Sequence, residues 1–210
     1  MNETKSFNQE EQKQIWNCFF EEEKHKLRYL GDYVVGFVFR NFRNINDKVK
    51  KRVRILDLGG GTGRHLVFMA REGFSVCGFD YSTDTLIEAR SFLESQGLDA
   101  DLKEGDLVSL PWSDDYFDAV VAWGVIYFNT LSRINRTMKE INRVLKHNGR
   151  LLASFRSKDN FFYGYGDEIE KDTFITAERE REGLIYHFFD EDGVRELLEE
   201  SSFILINMES

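Results

Sequence analysis

The sequence predicts a doubly wound α/β domain built on a mostly parallel sheet. Three observations favour this fold class. Short apolar runs alternate with helical patterns between about Val53 and Ser157, and the first apolar run ends in a glycine-rich loop that opens a helix. The 210 residues are 41% hydrophobic, which is enough for one core. Strands that alternate with helices are typical of a parallel sheet with helices on both faces.

The first half of this pattern contains two strand–helix units. The segments "VRILDL" and "FSVCGF" are short apolar runs of the length of buried strands. The second helix has a serine, Ser82, at its expected N-cap, and both helices stop at a glycine. The predicted elements are a strand over 53–58, a helix over 64–73, a strand over 74–79 and a helix over 82–97.

Three strands and one helix form the second half. The third strand, "DADLKEG", is charged and therefore weaker, whereas "FDAVVAW" and "RLLASF" are apolar. The helix before the fifth strand places Ile134, Met138 and Ile141 on one face, and its expected stop is Asn148-Gly149. The predicted elements are a strand over 99–105, a strand over 117–123, a helix over 131–149 and a strand over 150–155.

Two regions lie outside the alternation. Residues 1–50 look helical and aromatic-rich, and we expect them to form an N-terminal helical cap on a domain over residues 51–210. Within residues 158–189 the segments "DTFITAE" and "GLIYHFF" flank a charged turn, which predicts an inserted β-hairpin. A helix over 190–201 and a sixth strand over 203–210 complete the prediction.

Composition argues against several classes of function. The net charge is −9, which is a poor match to nucleic acid, and the basic stretch Lys48–Arg54 is expected to be a solvated approach to the first strand. The cysteines, Cys18 and Cys77, form no metal-ligand spacing, so no metal is expected, and they fit a reducing cytoplasm. The polar N-terminal segment lacks a signal-like apolar region, and no apolar run approaches the ~18 residues of a membrane span.

The glycine loop carries the clearest chemical signal. "ILDLGGGTGRH" (55–65) places Asp57 at the end of a strand that reads as buried, where a carboxylate without a partner is costly. Glycines let a ligand approach the backbone, and the helix that follows offers free N–H groups. The spacing fits neither the dinucleotide fingerprint nor the P-loop. A carboxylate at this place favours a ligand that carries an ammonium or sulfonium group.

These residues resemble the first motif of the class I S-adenosylmethionine-dependent methyltransferases of the small-molecule, UbiE/TehB-like type. Three further segments follow in the matching order: "GFDYS" (78–82), "EGDLVSLPWSDDYFDAVVAW" (104–123) and "RVLKHNGRLLAS" (143–154). The resemblance covers about residues 53–157. It implies a Rossmann-like fold, S-adenosylmethionine as methyl donor with S-adenosylhomocysteine as product, and in-line methyl transfer to a small-molecule acceptor.

The resemblance also implies the residues of the cofactor site. Asp80 would hold the ribose hydroxyls, although a role as cap of the next helix is the alternative. Asp106 would accept from the adenine amino group, and the N–H of Leu107 would donate to the ring. The other expected cofactor residues are Asp57, Gly59, Gly60, Gly61, Gly63, His65, Tyr81, Ser82, Gly105, Trp123 and Gly124.

The acceptor side is predicted less sharply. The fourth strand ends in "AWGVIYFN", so Trp123 and Tyr127 are candidate walls of the acceptor pocket, and packing in the core is the alternative for either ring. Tyr127 and His187 are the candidate catalytic residues. A histidine base, His65 or His187, needs a pKa near 7, and a packing role is the alternative for both.

Several alternatives stay open. The family's sheet has seven strands, with the last one antiparallel and inserted between the fifth and the sixth. Six are predicted here, so the final antiparallel strand is expected to be missing, and the exposed edge makes a homodimer one expectation. The alternative function is a non-catalytic S-adenosylmethionine- or S-adenosylhomocysteine-binding regulatory protein. The segment "AWGVIYF" disfavours aminopropyl transfer and nucleic-acid methylation, because it has neither an acidic cradle nor an Asn/Asp-Pro-Pro-Tyr signature.

Overall fold

A computed structural model describes residues 8–209, so residues 1–7 of the predicted cap and Ser210 of the predicted last strand lie outside the described residues. The strands are β1 Arg54–Leu58, β2 Ser75–Asp80, β3 Asp101–Glu104, β4 Phe117–Ala122, β5 Leu145–Ala153, β6 Gly166–Glu170, β7 Thr173–Thr176 and β8 Ile185–His187. The helices are α1 Gln9–Glu21, α2 Asp32–Phe42, α3 Asp47–Lys50, α4 Arg64–Arg71, α5 Thr83–Ser95, α6 Leu131–Val144 and α7 Glu191–Glu200. A single 3₁₀ turn, Glu23–His25, follows α1.

The main sheet has five parallel strands in the order β3-β2-β1-β4-β5, which confirms the predicted fold class. Alternate strand residues face opposite layers of helices. Ile55 and Val121 belong to the cluster that packs on α2, α4 and α5, whereas Leu56 and Val120 belong to the cluster that packs on α6 and α7. Because successive side chains of a strand point to opposite faces, each strand packs against both layers of helices, as a doubly wound fold requires.

The boundary between α6 and β5 differs from the prediction, which extended the helix to Gly149. The helix ends at Val144, because β5 begins at Leu145 opposite Phe117. The Asn148-Gly149 pair, with Asn148 at φ +61, lies instead inside β5, where the register with β4 shifts. An Asn-Gly pair suits a bulge as well as a helix stop, and only the partner strand distinguishes the two.

A second, antiparallel sheet in the order β6-β7-β8 lies between β5 and α7 in sequence. Its β7–β8 pair is the predicted hairpin, and β6 adds a strand that the sequence did not indicate. Backbone bonds attach this sheet and the segment after it to the rest of the fold. They include bonds from the His187 N–H to the Tyr127 carbonyl (2.8 Å) and from the Phe189 N–H to the Arg156 carbonyl (2.7 Å). The hairpin is thus held against the loop that follows β4.

The predicted sixth strand is wrong, since the described part of the tail, residues 203–209, forms no strand. Its side chains do alternate like those of a strand: Phe203 and Leu205 pack against the core, and Ile204 and Ile206 are 89% and 72% exposed. A strand also needs a hydrogen-bonded neighbour. Residues 8–209 contain no antiparallel strand beside β5 that would supply one.

The described N-terminal residues are helical, with α1 spanning 13 residues and α2 spanning 11. Asn8 caps α1 by accepting from the N–H of Glu10, and Asn46 caps the short α3 by accepting from the N–H of Val49. Over residues 8–209, no helix has the length and apolar character needed to cross a membrane. The packing of α1 determines how the site described next is covered.

Candidate active site

The candidate site lies where the carboxyl ends of β1, β2 and β4 meet the loop that follows β3. These ends adjoin because the strands are parallel and paired in register, with Asp57 opposite Gly78 and Val121. A cleft opens at this edge. Seven of the residues expected at the cofactor site line it: Gly59, Gly61, Asp80, Tyr81, Asp106, Leu107 and Gly124. An eighth, Gly105, lines an adjoining polar recess together with Tyr81 and Asp106.

The loop after β1 needs glycine for two physical reasons. Gly59 has φ +68, a left-handed conformation that side chains disfavour. A Cβ on Gly59 would also lie 2.3 Å from Cγ2 of Val125, and one on Gly63 would lie 2.9 Å from Cβ of Ala89. Gly60 passes directly over the Asp57 carboxylate, where a Cβ would lie 2.9 Å from Oδ2. The chain therefore turns tightly over Asp57 and leaves the cleft open.

Gly59→Ala is expected to lower the free energy of unfolding by about 3 kcal/mol, the sum of left-handed strain and a core clash. Gly97→Ala is a matched control, because Gly97 has φ +67 with nothing within 4 Å of its Cβ position. It should lose only about 1 kcal/mol from strain. Urea unfolding of both variants measures the difference, and equal losses would show that Val125 does not constrain the loop.

Asp57 is a buried carboxylate beneath this loop, with only 1% of the residue exposed. Within residues 8–209, its Oδ2 atom has no hydrogen-bond partner. The pKa of Asp57 is raised to about 7, chiefly by burial, with a smaller contribution from the nearby Asp80, and the Arg64 guanidinium opposes the rise. An uncompensated carboxylate of this kind is ready to receive a cationic group.

Asp80 ties the end of β2 to the glycine loop. Its Oδ2 accepts from the N–H of Gly61 (3.1 Å) and its Oδ1 accepts from the N–H of Ser82 (3.0 Å). The cap of α5 is Ser82, whose Oγ accepts from the N–H of Thr85 (3.2 Å). Burial raises the pKa of Asp80, and the two backbone N–H groups oppose that rise. Asp80 is therefore not the helix cap, and it borders the cleft as a carboxylate held by two backbone bonds.

Asp106 is oriented by an arginine that the sequence did not indicate. Arg133, in the first turn of α6, donates from Nη2 to Oδ1 of Asp106 (2.6 Å) and from Nε to Asn129 (3.0 Å). The N–H of Val108 donates to the same Asp106 oxygen (3.2 Å). Arg133 and Asn129 both line the cleft. Only the folding of α6 over the loop after β3 brings them there.

Helix α1 covers the opposite side of the cleft and contributes four lining residues, Gln9, Gln12, Trp16 and Phe20. Lys13 pairs with Glu104 (2.7 Å), and Asn17 accepts from Ser82 Oγ (2.6 Å). The aromatic spacing of Trp16, Phe19 and Phe20, at i, i+3 and i+4, is the signal by which the sequence marks this helix face.

Gln12 joins α1 to the second sheet. Its side-chain amide donates to the Gly183 carbonyl (2.8 Å) and accepts from the Ile185 N–H (3.0 Å). One glutamine thereby makes the pair of bonds that a neighbouring strand would make with β8. The helix over the cleft is bound to the hairpin as well as to the main domain.

Eight predicted site residues are not among those that line the cleft or its recess: Asp57, Gly60, Gly63, His65, Ser82, Trp123, Tyr127 and His187. His187 is buried in β8, where its Nδ1 lies 2.6 Å from Thr173 Oγ1 and burial lowers its pKa, so it has a packing position outside the cleft lining. His65 is buried, and burial lowers its pKa to about 4, so it is not poised as a base near neutral pH. Trp123 stacks on Tyr33 at 5.2 Å between ring centroids. In the described part of the chain, no group of three His, Cys, Asp or Glu side chains can hold a metal ion.

Comparisons with known proteins match this region. Residues 55–149 match the family model described as "Methyltransferase domain". A protein of Encephalitozoon cuniculi named as a methyltransferase is 33% identical over 160 residues, 73% of this chain and 71% of that protein. The demethylmenaquinone methyltransferase of Thermus thermophilus is 39% identical over 104 residues, 48% of this chain and 46% of that protein. A solved SAM-dependent methyltransferase of Methanosarcina mazei has a TM-score of 0.64 at 27% identity and covers 70% of this chain and 78% of that one.

Proposed function

Because the chain belongs to the S-adenosylmethionine-dependent methyltransferase family, we propose that it transfers the methyl group to a small-molecule acceptor. The observation that carries this proposal is the partly covered cleft, which is lined by backbone of the glycine loop and by aromatic rings of α1. A cleft covered in this way suits a small acceptor better than a polymer. The relative from Thermus thermophilus, named for a quinone substrate, supports the same class.

The carboxylates in and beneath the cleft fit S-adenosylmethionine. The Asp80 carboxylate, which lines the cleft, suits the vicinal ribose hydroxyls. The unpartnered Oδ2 of Asp57, buried beneath the glycine loop, suits the ammonium of the amino-acid end. Asp106, held by Arg133, suits the adenine amino group as an acceptor. When bound, this donor supplies a methyl group on a positively charged sulfur, which needs no metal or covalent enzyme intermediate to react.

The protein's own contribution is placement and exclusion of water. Trp16 and Phe20 from α1 and Val125 and Phe128 from the loop after β4 form the apolar part of the cleft wall. Holding two reactants in line supplies about 7–11 kcal/mol of a barrier. An apolar wall also keeps water from competing with the acceptor. We therefore expect α1 to stay over the cleft during transfer.

Gln12→Ala tests the role of α1 as a cover. Loss of the amide leaves the Gly183 carbonyl and the buried Ile185 N–H unpaired, which should lower the free energy of unfolding by about 1–3 kcal/mol. S-adenosylhomocysteine should also dissociate faster, which stopped-flow tryptophan fluorescence can follow. The exposed Gln14 on the same helix gives the matched control Gln14→Ala. If both variants release the product equally, α1 does not close the cleft.

Isothermal titration with S-adenosylhomocysteine tests the proposed function itself. We expect one site per chain, and we expect turnover of S-adenosylmethionine with an acceptor from a small-molecule panel. Absence of binding at millimolar ligand would refute the proposal. Binding with no turnover of any acceptor would favour the non-catalytic regulatory alternative.

Three organisational expectations belong to the same proposal. Residues 1–50 act as a cap on a catalytic domain over residues 51–210, supported by the bonds of α1 across the cleft. The protein acts in the cytoplasm, supported by its unpaired Cys18 and Cys77. Two copies associate along the open outer edge of β5, which light scattering of the purified protein can test.

A further inference from the structure

The cleft has an apolar surface formed by Trp16, Phe20, Val125 and Phe128. The polar side chains of Gln12 and Asn129 line the same cleft. The Trp16 ring lies 4.7 Å from that of Phe128 and 5.8 Å from that of Phe20, measured between centroids. The two carboxylates that line the cleft, Asp80 and Asp106, lie on the β2 and β3 side and are engaged by donors. The apolar end of the cleft therefore suits a flat, apolar body.

Tyr127 adjoins this end of the cleft, although it is not itself among the lining residues. Its hydroxyl lies 3.9 Å from the Cβ position of Gly124, which lines the cleft, and its ring lies 4.5 Å from that of Phe128. Among residues 8–209, the hydroxyl has no hydrogen-bond partner. A phenolic O–H can donate to an anionic atom placed beside it.

A cluster of charged side chains with a positive net charge lies near Tyr127. Glu178 accepts from Arg181 Nη1 (3.0 Å) and from the Tyr186 hydroxyl (2.9 Å), and its Oε2 lies 4.0 Å from Nη2 of Arg156. Arg156 stacks 4.1 Å above the Tyr186 ring, with its guanidinium 5.9 Å from the centroid of the Tyr127 ring. Two guanidinium groups thus share one carboxylate, and the cluster carries a net charge of +1.

This charge acts on Tyr127 directly. Burial raises the pKa of Tyr127 and Glu178 adds to the rise, whereas Arg156 and Arg181 oppose it. The Arg156 side chain is only 12% exposed, so solvent screens its charge weakly. A cationic group close to the Tyr127 hydroxyl would be repelled, and an anionic one would be attracted.

Building on the proposed methyl transfer, we propose that the acceptor is a flat aromatic thiol or phenol that reacts as its anion. Tyr127 donates to the anionic atom, and Arg156 and Arg181 supply the stabilising charge. The acceptor S–H or O–H proton leaves to solvent. A lone pair of the acceptor then forms the bond to the methyl carbon, and the carbon–sulfur bond breaks with its electron pair on sulfur. The negative charge of the acceptor anion and the positive charge of the donor sulfur cancel in this step. Methylation of an amine would instead leave a new cation beside Arg156.

Titration of para-nitrophenol on the protein saturated with S-adenosylhomocysteine tests the inference, because the phenolate absorbs visible light. We expect the bound phenol to ionise at least about tenfold more readily than the free phenol, since an opposite charge nearby favours the ionised form. Arg156→Gln and Tyr127→Phe should each reduce this shift. Arg195→Gln, which removes an exposed arginine paired with Glu191 on α7, should leave it unchanged.

The outcomes separate this inference from the proposed function. If S-adenosylhomocysteine does not bind, the methyltransferase proposal fails. If it binds and the nitrophenol stays unbound at millimolar concentration, or ionises no more readily than in water, the anionic acceptor is refuted while the proposed function stands. The wild-type titration alone decides this, so the result does not depend on whether Arg156→Gln folds. Preferred turnover of benzylamine over benzenethiol would also overturn the inference.

Discussion

Asp57→Asn is expected to remove most of the affinity for S-adenosylhomocysteine and, above pH 7, to raise the free energy of unfolding of the ligand-free protein. The carboxylate is buried and its Oδ2 atom has no partner in the described residues, so it costs stability until a cation arrives. Asparagine keeps the shape and removes the charge. Loss of one partner of a buried charge pair should weaken binding by about 2–5 kcal/mol.

The pH dependence of Asp57 has a definite sign. Its pKa is raised in the fold from an ordinary value of 3.8 to about 7, so the folded protein favours the protonated form. The corresponding stability is present at low pH, declines between about pH 4 and 7, and is absent above pH 7. An ammonium ligand needs the ionised form, so wild-type affinity should fall as the pH drops below 7.

Calorimetric titration with S-adenosylhomocysteine and urea unfolding, each at pH 6 and pH 8, measure these effects. Asp99→Asn, at an exposed aspartate in the turn before β3, is the matched control and should change neither quantity. A variant Asp57→Asn that binds as tightly as the wild type would show that the glycine loop holds the ligand without this carboxylate.

Asp80→Ala is expected to weaken S-adenosylhomocysteine binding by about 1.5–3 kcal/mol, the range for hydrogen bonds to a charged group. The structure adds a second effect, because the N–H groups of Gly61 and Ser82 lose their acceptor. Each unpaired buried donor costs about 1–3 kcal/mol, so the ligand-free protein should also be less stable. Asp101→Ala, at the exposed start of β3, is the control.

A comparison of two ligands, adenosine and 2′-deoxyadenosine, separates the contact with the ribose from the effect of the substitution on the glycine loop. Wild-type protein should bind adenosine more tightly than 2′-deoxyadenosine, because only adenosine offers both hydroxyls to Asp80. Asp80→Ala should lose this preference whatever its stability. Unchanged discrimination in the variant would place the ribose elsewhere in the cleft.

The sequence predicted the secondary structure correctly wherever an element depends only on residues close to it in the chain. The strands β1, β2 and β4 are short apolar runs, and Ser82 caps its helix as the sequence indicates. The end of α6 and the tail at 203–209 were not predictable, because both depend on a partner strand. Leu145 continues as β5 because Phe117 lies opposite, whereas the strand-like tail lacks a neighbour in the described residues.

The sequence by itself determined which residues meet at one edge of the sheet, because Asp57, the glycines, Asp80 and Asp106 stand at fixed short distances from strand ends that parallel pairing brings together. Only the tertiary structure decided which residues cover the cleft and which charged side chains lie near it. Gln12 meets Gly183 across 171 residues of chain, and Arg156 and Arg181 reach Tyr127 from separate loops. No periodicity or spacing in the sequence predicts such contacts, because they form only when distant segments pack against one another.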